Sequence, residues 1–291
     1  MKSSVSIIYN PAARKASNTN IDLAAFFLGR EGFEVEVLRT DKKDHARQLA
    51  EEALKKRPSL IIAAGGDGTI NEVINGLAWS GTPAAILPMG TTNVLAKELN
   101  VPEDLYRALR TAVGGTPKKV SLGKIETERG GLRYFCLMAG VGLDGKAVHD
   151  VNPSIKKVSG GAAYILSGIR NIATFSPERI EFLVDGKGFS GYTAVIGKAA
   201  KYGGNYKVTP DANLRDPFLF ACIFRGGRRL DLLRYSIGVL RGTHLRYKDV
   251  DYLKASSVEI LGRAHMQVDG DYLGLSPARV SVAVGALNLI F

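Results

Sequence analysis

Ala63-Ala64-Gly65-Gly66-Asp67-Gly68-Thr69-Ile70-Asn71-Glu72 follows Leu60-Ile61-Ile62, a short apolar run that reads as a buried parallel strand. It leads into Ile70, Val73, Ile74 and Leu77, which recur at helical spacing. The glycines therefore fall at the turn between the carboxyl end of a strand and the amino end of a helix, where open α/β sheets bind ligands. Backbone N–H groups at such a turn are unpaired and the helix dipole favours anions. Glycine lets a phosphate approach without a Cβ in the way. Asp67 is the unusual member, because a carboxylate beside phosphates repels them. A bound cation, or a proton to be taken from a hydroxyl, would account for it. The plain alternative is a tight strand–helix turn with Asp67 as a helix cap, since short motifs recur by chance.

The same strand–helix alternation extends outward from this stretch. Residues 5–9 read as a strand, followed by the loop Asn10-Pro11-Ala12-Ala13-Arg14-Lys15 and a helix from Asn18 to Gly29, with Asn18 or Thr19 as its cap. Phe33, Val35 and Val37 alternate with glutamates as in a half-buried strand ending at Arg39-Thr40. Ala46, Leu49, Ala50, Ala53 and Leu54 share one helical face. Residues 83–87 form another apolar strand that runs into Pro88-Met89-Gly90-Thr91-Thr92-Asn93, and two further helices follow. This order predicts a mostly parallel sheet with right-handed crossovers.

Near residue 118 the texture changes. Short apolar runs at 118–125, 132–140, 179–184, 190–197, 219–224, 257–261, 265–268 and 279–284 are separated by turn residues, which predicts an antiparallel β domain. Helical patterns interrupt it at about 160–175 and 230–241. The fold class expected is thus α/β plus all-β, with an open parallel-sheet domain over 1–120, a β domain over 121–284 and a terminal segment over 285–291.

The 291 residues are 45% hydrophobic, enough for a substantial core, and no apolar run reaches the roughly 18 residues needed to span a bilayer. Met1 to Val5 run straight into a strand, so no secretory leader is expected and the location expected is cytoplasmic. Cys136 and Cys222 sit in apolar runs and read as buried free thiols. A formal charge of +11 favours an anionic partner. With the basic residues spread along the chain and no DNA- or RNA-binding motif, nucleic acid is not the expected one. Lys156 to Arg170 places cations beside an apolar stretch, which suits either an anionic membrane surface or a core-packing helix with solvated lysines.

Two sets of residues carry chemistry. In the first half, loops at Asn10-Pro11, Thr40, Gly65 to Thr69 and Gly90 to Asn93 leave successive strand ends, which share one edge of a parallel sheet, as a nucleoside triphosphate requires. In the second, Val268-Asp269-Gly270-Asp271 offers two carboxylates that bind Mg²⁺ or deprotonate an alcohol, or else form an Asp-Gly β-turn.

Several blocks in this order resemble the diacylglycerol kinase catalytic-domain family, which includes sphingosine kinases and soluble bacterial lipid kinases. They are Gly65 to Leu77, Pro88 to Ala96, Gly140-Val141-Gly142-Leu143-Asp144, Tyr202-Gly203-Gly204, Pro210 to Asp216, Gln267 to Asp271 and Gly285-Ala286-Leu287. The resemblance runs nearly end to end. It implies a nucleotide domain and a carboxyl-terminal β-sandwich with the active site in the cleft between them, and ATP- and Mg²⁺-dependent phosphorylation of a lipid hydroxyl at the membrane surface. By position, it implies that Asn10, Pro11, Lys15, Thr40, Gly65, Gly66, Asp67, Gly68, Thr69, Ile70, Asn71, Gly90, Thr91 and Asn93 hold ATP. It makes Asp271 the proton acceptor with Asp269 beside it, and Asp67 a base or Mg²⁺-linked group. A structural Mg²⁺ would match Asn213, Asp216 and Phe218, mostly through backbone oxygens.

The chain departs from the family pattern in its acidic network. Asp271 stands where Glu is usual, Val94 and Ser121 where Asp is usual, and Arg14 and Pro217 where Gly is usual. The acceptor stays open among diacylglycerol, phosphatidylglycerol, a sphingoid base and a polyprenyl-type alcohol, and a homodimer is compatible with the sequence. The rival readings are an NAD kinase-like enzyme, which shares a Gly-Gly-Asp-Gly loop, and a catalytically weak nucleotide- or lipid-binding regulator.

Overall fold

The computed structural model describes residues 3–128, 131–150 and 178–291. The chain divides into two compact units, Met1–Ser121 with Gly285–Phe291, and Leu122–Val284. The helical pattern at 160–175 and the basic, apolar segment 156–170 lie outside the described residues.

The first unit is α/β. Its strands β1 (Ser4–Tyr9), β2 (Glu34–Arg39), β3 (Leu60–Gly65) and β4 (Pro83–Pro88) are parallel in the order β2-β1-β3-β4. Every residue of the central β3 is buried, as its unbroken apolar run requires, whereas the edge strand β2 mixes exposed and half-buried positions. The helices are α1 (Asn18–Arg30), α2 (His45–Lys55), α3 (Asp67–Leu77), α4 (Val94–Glu98) and α5 (Leu105–Gly114). Ala46, Leu49, Ala50 and Ala53 of α2 are buried, as are Ile70, Val73, Ile74 and Leu77 of α3. The cap of α1 is Ser17, whose side chain accepts from the Asn20 N–H at 3.2 Å, so the expectation of Asn18 or Thr19 is one or two residues late. The long last strand β18 (Ala278–Ile290) ends in this unit, where Asn288 and Leu289 pair in parallel with β4.

The second unit is an antiparallel β-sandwich. One sheet runs β14 (Val250–Ala255), β13 (Leu219–Phe224), β10 (Thr193–Gly197), β7 (Met138–Val141), β16 (His265–Val268) and β17 (Asp271–Leu275). In the other, β18 pairs with β15 (Ser257–Leu261), β15 with β8 (Ile180–Val184), and β8 with β9 (Lys187–Gly191). Phe135, Phe182, Ile196, Ile223, Val258, Ile260, Met266 and Val280 fill its core. Two helices are described here, α6 (Leu143–Asp150) and α7 (Arg229–Arg241). Short strands β11 (Lys201–Tyr202) and β12 (Tyr206–Lys207) form a hairpin.

The apolar run 132–140, read as one strand, is two. β6 (Leu132–Phe135) pairs with β5 (Pro117–Thr127), whereas β7 lies between β10 and β16 in the other sheet. The chain changes sheets at Cys136-Leu137, and an acidic side chain described below holds that crossing. Both cysteines are buried and free. Among the described residues no helix is long and apolar enough to cross a membrane.

Candidate active site

Because β2, β1, β3 and β4 are parallel neighbours, their carboxyl ends lie along one sheet edge. The loops there are joined by backbone hydrogen bonds. The Asn10 N–H donates to Ala64 O at 3.2 Å, Thr40 to Tyr9 O at 2.9 Å, Met89 to Gly65 O at 2.9 Å, and Lys15 to Met89 O at 2.9 Å. Asn10 Nδ2 also donates to Thr69 Oγ1 at 3.2 Å. Asn10, Pro11, Thr40, Gly65, Gly66, Gly68, Thr69, Gly90 and Thr91 are thus drawn from loops fastened to one another. Gly68 and Thr91 are exposed there, and Thr40 is buried.

The closest approach is backbone on backbone. A Cβ built on Gly90 would stand 2.6 Å from Gly66 Cα and 2.8 Å from Asn93 Oδ1, while one on Gly68 meets nothing within 4 Å. Gly90→Ala is therefore expected to lower stability by about 1–3 kcal/mol, because neither backbone can yield, and Gly68→Ala to stay within about 0.5 kcal/mol. Denaturant unfolding of both variants checks this, and equal midpoints would dismiss the contact.

Asp67 opens α3, and its carboxylate crosses to the next loop. Oδ2 accepts the Val94 N–H and Oδ1 the Leu95 N–H, each at 3.1 Å. It therefore caps α4, although it belongs to α3. Burial pushes its carboxyl above the usual range, against the two amide donors and the nearby Lys97. A carboxylate offers about four acceptor positions, so capping leaves some capacity for a cation.

Four expected nucleotide residues have other work. Ile70 is fully buried and its N–H donates to Gly66 O, so it packs the core. Asn71 is 3% exposed and accepts from Asn75 Nδ2 on the same helix. Asn93 is 1% exposed, with positive φ, and its amide accepts the Gly90 N–H at 2.9 Å and donates to Gly90 O at 3.2 Å, shaping the loop from within. The Lys15 ammonium is exposed and paired with Glu103 at 3.2 Å. Ile70, Asn71 and Asn93 thus shape the loops from within, while the Lys15 side chain stays at their surface.

In the second unit, Asp269-Gly270 is the two-residue turn joining β16 to β17, with Val268 opposite Asp271. Both turn residues have positive φ, 47° and 85°, as a type I′ hairpin requires. Asp269 turns back into the protein. Its Oδ2 accepts the Cys136 N–H at 2.8 Å, and Oδ1 accepts those of Leu137 and Met138 at 2.9 Å each. These are the amides at the crossing between the two sheets. Asp269 thus anchors the sheet crossing through three backbone donors, and its expected part in proton transfer rests on the acceptor capacity these leave. Burial pushes its carboxyl up to about 6, with those donors and Arg133 opposing. Asp271 differs. It is half-buried at the start of β17, and Oδ2 accepts from Arg133 Nη2 at 2.6 Å.

The same unit contains a cavity of about 120 Å³. Leu143, Val195, Val208 and Leu232 contribute apolar walls, and Asp144 and Tyr202 are among its few polar groups. Asp144 is 8% exposed and its carboxyl is raised by burial. Its Oδ1 accepts the Tyr202 hydroxyl, and its Oδ2 accepts Gln267 Nε2 at 2.6 Å. Gln267 Oε1 in turn accepts the Gly270 N–H at 2.7 Å, so the cavity wall is linked to the turn that presents Asp271. Gly140 is what admits this carboxylate: a Cβ there would lie 1.6 Å from Asp144 Oδ2. Sequence reasoning marks Gly140 to Asp144 as a block but gives Asp144 no role. The available signal is a carboxylate two residues beyond a Gly-x-Gly, just after a buried strand.

At the positions expected to hold Mg²⁺ the structure places a lysine. The backbone oxygens of Asn213 and Asp216 accept hydrogen bonds from Lys198 Nζ, at 2.5 and 2.9 Å. Lys198 is fully buried. Burial pulls its ammonium down to about 8, with Asp216 opposing. The third expected ligand, Phe218, has its ring beneath Lys254 Nζ, 3.5 Å from the centroid. A divalent cation does not fit a carbonyl pair already occupied by a fixed positive charge. Among the described residues no group of three or more His, Cys, Asp or Glu could hold a metal.

Comparison with known proteins agrees with this architecture. Residues 4–125 match the family described as "Diacylglycerol kinase catalytic domain", and residues 138–291 the "YegS C-terminal NAD kinase beta sandwich-like domain". A protein named diacylglycerol kinase from Bacillus subtilis (strain 168) is 32% identical over 279 residues, covering 93% of this chain and 90% of its own. One of the same name from Staphylococcus aureus (strain MRSA252) is 30% identical, covering 96% and 89%. The crystal structure of a diacylglycerol kinase from Bacillus anthracis str. Sterne superposes with a TM-score of 0.79 at 24% identity, covering 100% of this chain and 97% of that one, and so shares the fold. With an α/β unit carrying the Gly-Gly-Asp-Gly turn, a β-sandwich carrying the Asp-Gly-Asp hairpin, and relatives alike over nearly their whole length, the chain belongs to the diacylglycerol kinase catalytic-domain family.

Proposed function

We propose that this protein transfers the γ-phosphoryl group of ATP to the hydroxyl of a lipid, working from the cytoplasm at an anionic membrane surface. The observation that carries the lipid reading is the apolar cavity whose Asp144 is tied through Gln267 to the turn bearing Asp271. An apolar cavity linked by hydrogen bonds to the turn of a candidate base suits an acceptor with a hydrocarbon chain better than a dinucleotide. α7 supports the surface reading. It lines the cavity with Leu232, Val239 and Leu240, and outside it exposes Leu230 and Ile237 among Arg228, Arg229 and Arg241.

In this reading the fastened loops of the first unit hold the nucleotide. Amides and glycine backbones at the start of α3 face its phosphates, and Thr69 and Thr91 supply hydroxyls. Mg²⁺, when bound, neutralises charge on the transferring phosphate, and one carboxylate with phosphate oxygens and water is an ordinary ligand set for it. Asp67 has the acceptor capacity to hold it. The acceptor hydroxyl gives its proton to Asp271, its oxygen bonds to the γ-phosphorus, and the bond from that phosphorus to the β,γ-bridging oxygen breaks, releasing ADP. Arg133 positions the Asp271 carboxylate.

The deciding assay supplies γ-labelled ATP, Mg²⁺, anionic vesicles of extracted lipid, and NAD in a parallel sample. Label in lipid is expected. Label in NAD would favour the NAD kinase-like reading, and nucleotide binding with no transfer would favour a regulator. Asp271→Asn is expected to lower turnover by about 10²-fold or more with ATP affinity unchanged. A loss of ATP affinity alone would make Asp271 a binding residue.

A further inference from the structure

The loop between Thr209 and Leu219 is organised around one side chain. Asn213 Oδ1 accepts the Arg215 N–H at 2.9 Å, and the Asn213 carbonyl accepts the Asp216 N–H at 3.1 Å, closing a tight turn. Leu214 and Leu219 are buried, which fixes both sides of it. The carbonyls of Asn213 and Asp216 point at the same place, and Lys198 Nζ fills it. Lys198 is itself held by its backbone: its N–H and that of Ala199 both donate to Leu137 O, at 2.8 and 3.0 Å. Thr209 Oγ1 donates to Ala199 O at 2.9 Å, tying the start of the loop to the same segment.

We infer that the Lys198 ammonium is the resident cation of the 209–219 loop, standing in place of a divalent ion, so that this loop folds without metal. The charges decide it. An ion bound to both carbonyls would lie within about 3 Å of Nζ, and two positive charges at that separation in a buried site repel strongly. An ammonium carries three donors, and this one is tethered to the chain, so it reaches the two carbonyls without being drawn from solution. Lys198 has no exposed surface, so it has no solvent-facing role to compete with this one. The inference concerns only this loop. A Mg²⁺ ion accompanying a nucleotide is a separate matter.

Hydrogen exchange of peptides covering 209–219 tests it, on the native full-length chain without nucleotide, in EDTA and in millimolar Mg²⁺. Exchange in the native protein is expected to be the same in both. In Lys198→Ser, which removes the ammonium and leaves space, exchange across the loop is expected to be at least tenfold faster in EDTA. Slowing of the native loop by Mg²⁺ would overturn the inference, as would a Lys198→Ser loop that exchanges at the native rate. The native comparison requires no variant to fold, so it decides the matter even where Lys198→Ser is unstable.

Discussion

Asp67→Asn is expected to lower phosphate transfer by about 10²-fold or more while the protein remains folded. Two tasks meet on this carboxylate. One is capping: Val94 and Leu95 give it their N–H groups across the gap between α3 and α4. The other, in the proposed reaction, is to hold a cation with its remaining acceptor capacity beside the loops assigned to the phosphates. Asparagine keeps one oxygen for the cap but turns an NH₂ toward a backbone donor, so a stability loss of about 1 kcal/mol is expected. That is too small to unfold a domain of this size. The loss of charge falls on the chemistry, because the amide cannot balance a divalent cation. Steady-state rates measured against Mg²⁺ and ATP, together with thermal unfolding, separate the two tasks. Near-native turnover combined with the small stability loss would leave Asp67 as a cap alone.

The division of labour at Asp67 explains how far the sequence could be read. The parallel sheet was legible because β1, β3 and β4 are unbroken apolar runs, each followed by turn residues, and parallel pairing then forces the four loops to one edge. The fold class and the family follow from that pattern and from the blocks of motif. The helix cap at Asp67 was also foreseen as an alternative, but for the wrong helix, since the partner amides lie 27 and 28 residues further on. Among the strands left out, β14 and β17 are half-exposed and lack alternation. Helix α6 was missed because its glycine and two aspartates weaken a helical pattern, and its packing on β16 is what stabilises it: a Cβ on Gly145 would stand 2.2 Å from His265 O.

Side-chain partners separated by long stretches were not legible at all. Lys198 is one lysine among many until its ammonium is seen against carbonyls 15 and 18 residues away. Ser121, read as a missing aspartate, has its own partner: its hydroxyl accepts the Gly285 N–H at 3.2 Å, where β18 enters the first unit. Ile70 and Asn71 sit within a nucleotide motif, yet their burial gives them to the core of α3. A motif marks a stretch of backbone, and which of its side chains face outward is settled by the helix phase.

The largest stability effect is expected at Asp269. Asp269→Ala should destabilise the second unit by about 3–5 kcal/mol, because three buried N–H groups, those of Cys136, Leu137 and Met138, lose their acceptor together. Asp269→Asn should cost less, since one oxygen still serves Leu137 and Met138. Hydrogen exchange at 136–138, measured alongside denaturant unfolding, would place the damage at the sheet crossing. A stability change below about 1 kcal/mol in Asp269→Ala would refute the anchor, and lost turnover at full stability in Asp269→Asn would support the proton-transfer role. The pH dependence supplies an independent check. Burial raises the Asp269 carboxyl to about 6, so between its ordinary value near 3.8 and that value the folded state holds a proton that the unfolded state has released. Stability from this group is therefore fullest below its ordinary value and falls as the pH rises through about 6. The amide of Asp269→Asn has no proton to lose there, so the stability advantage of the native protein over that variant should shrink as the pH is raised from about 4 to about 6. An advantage that grew over that range would mean the three amides outweigh the burial.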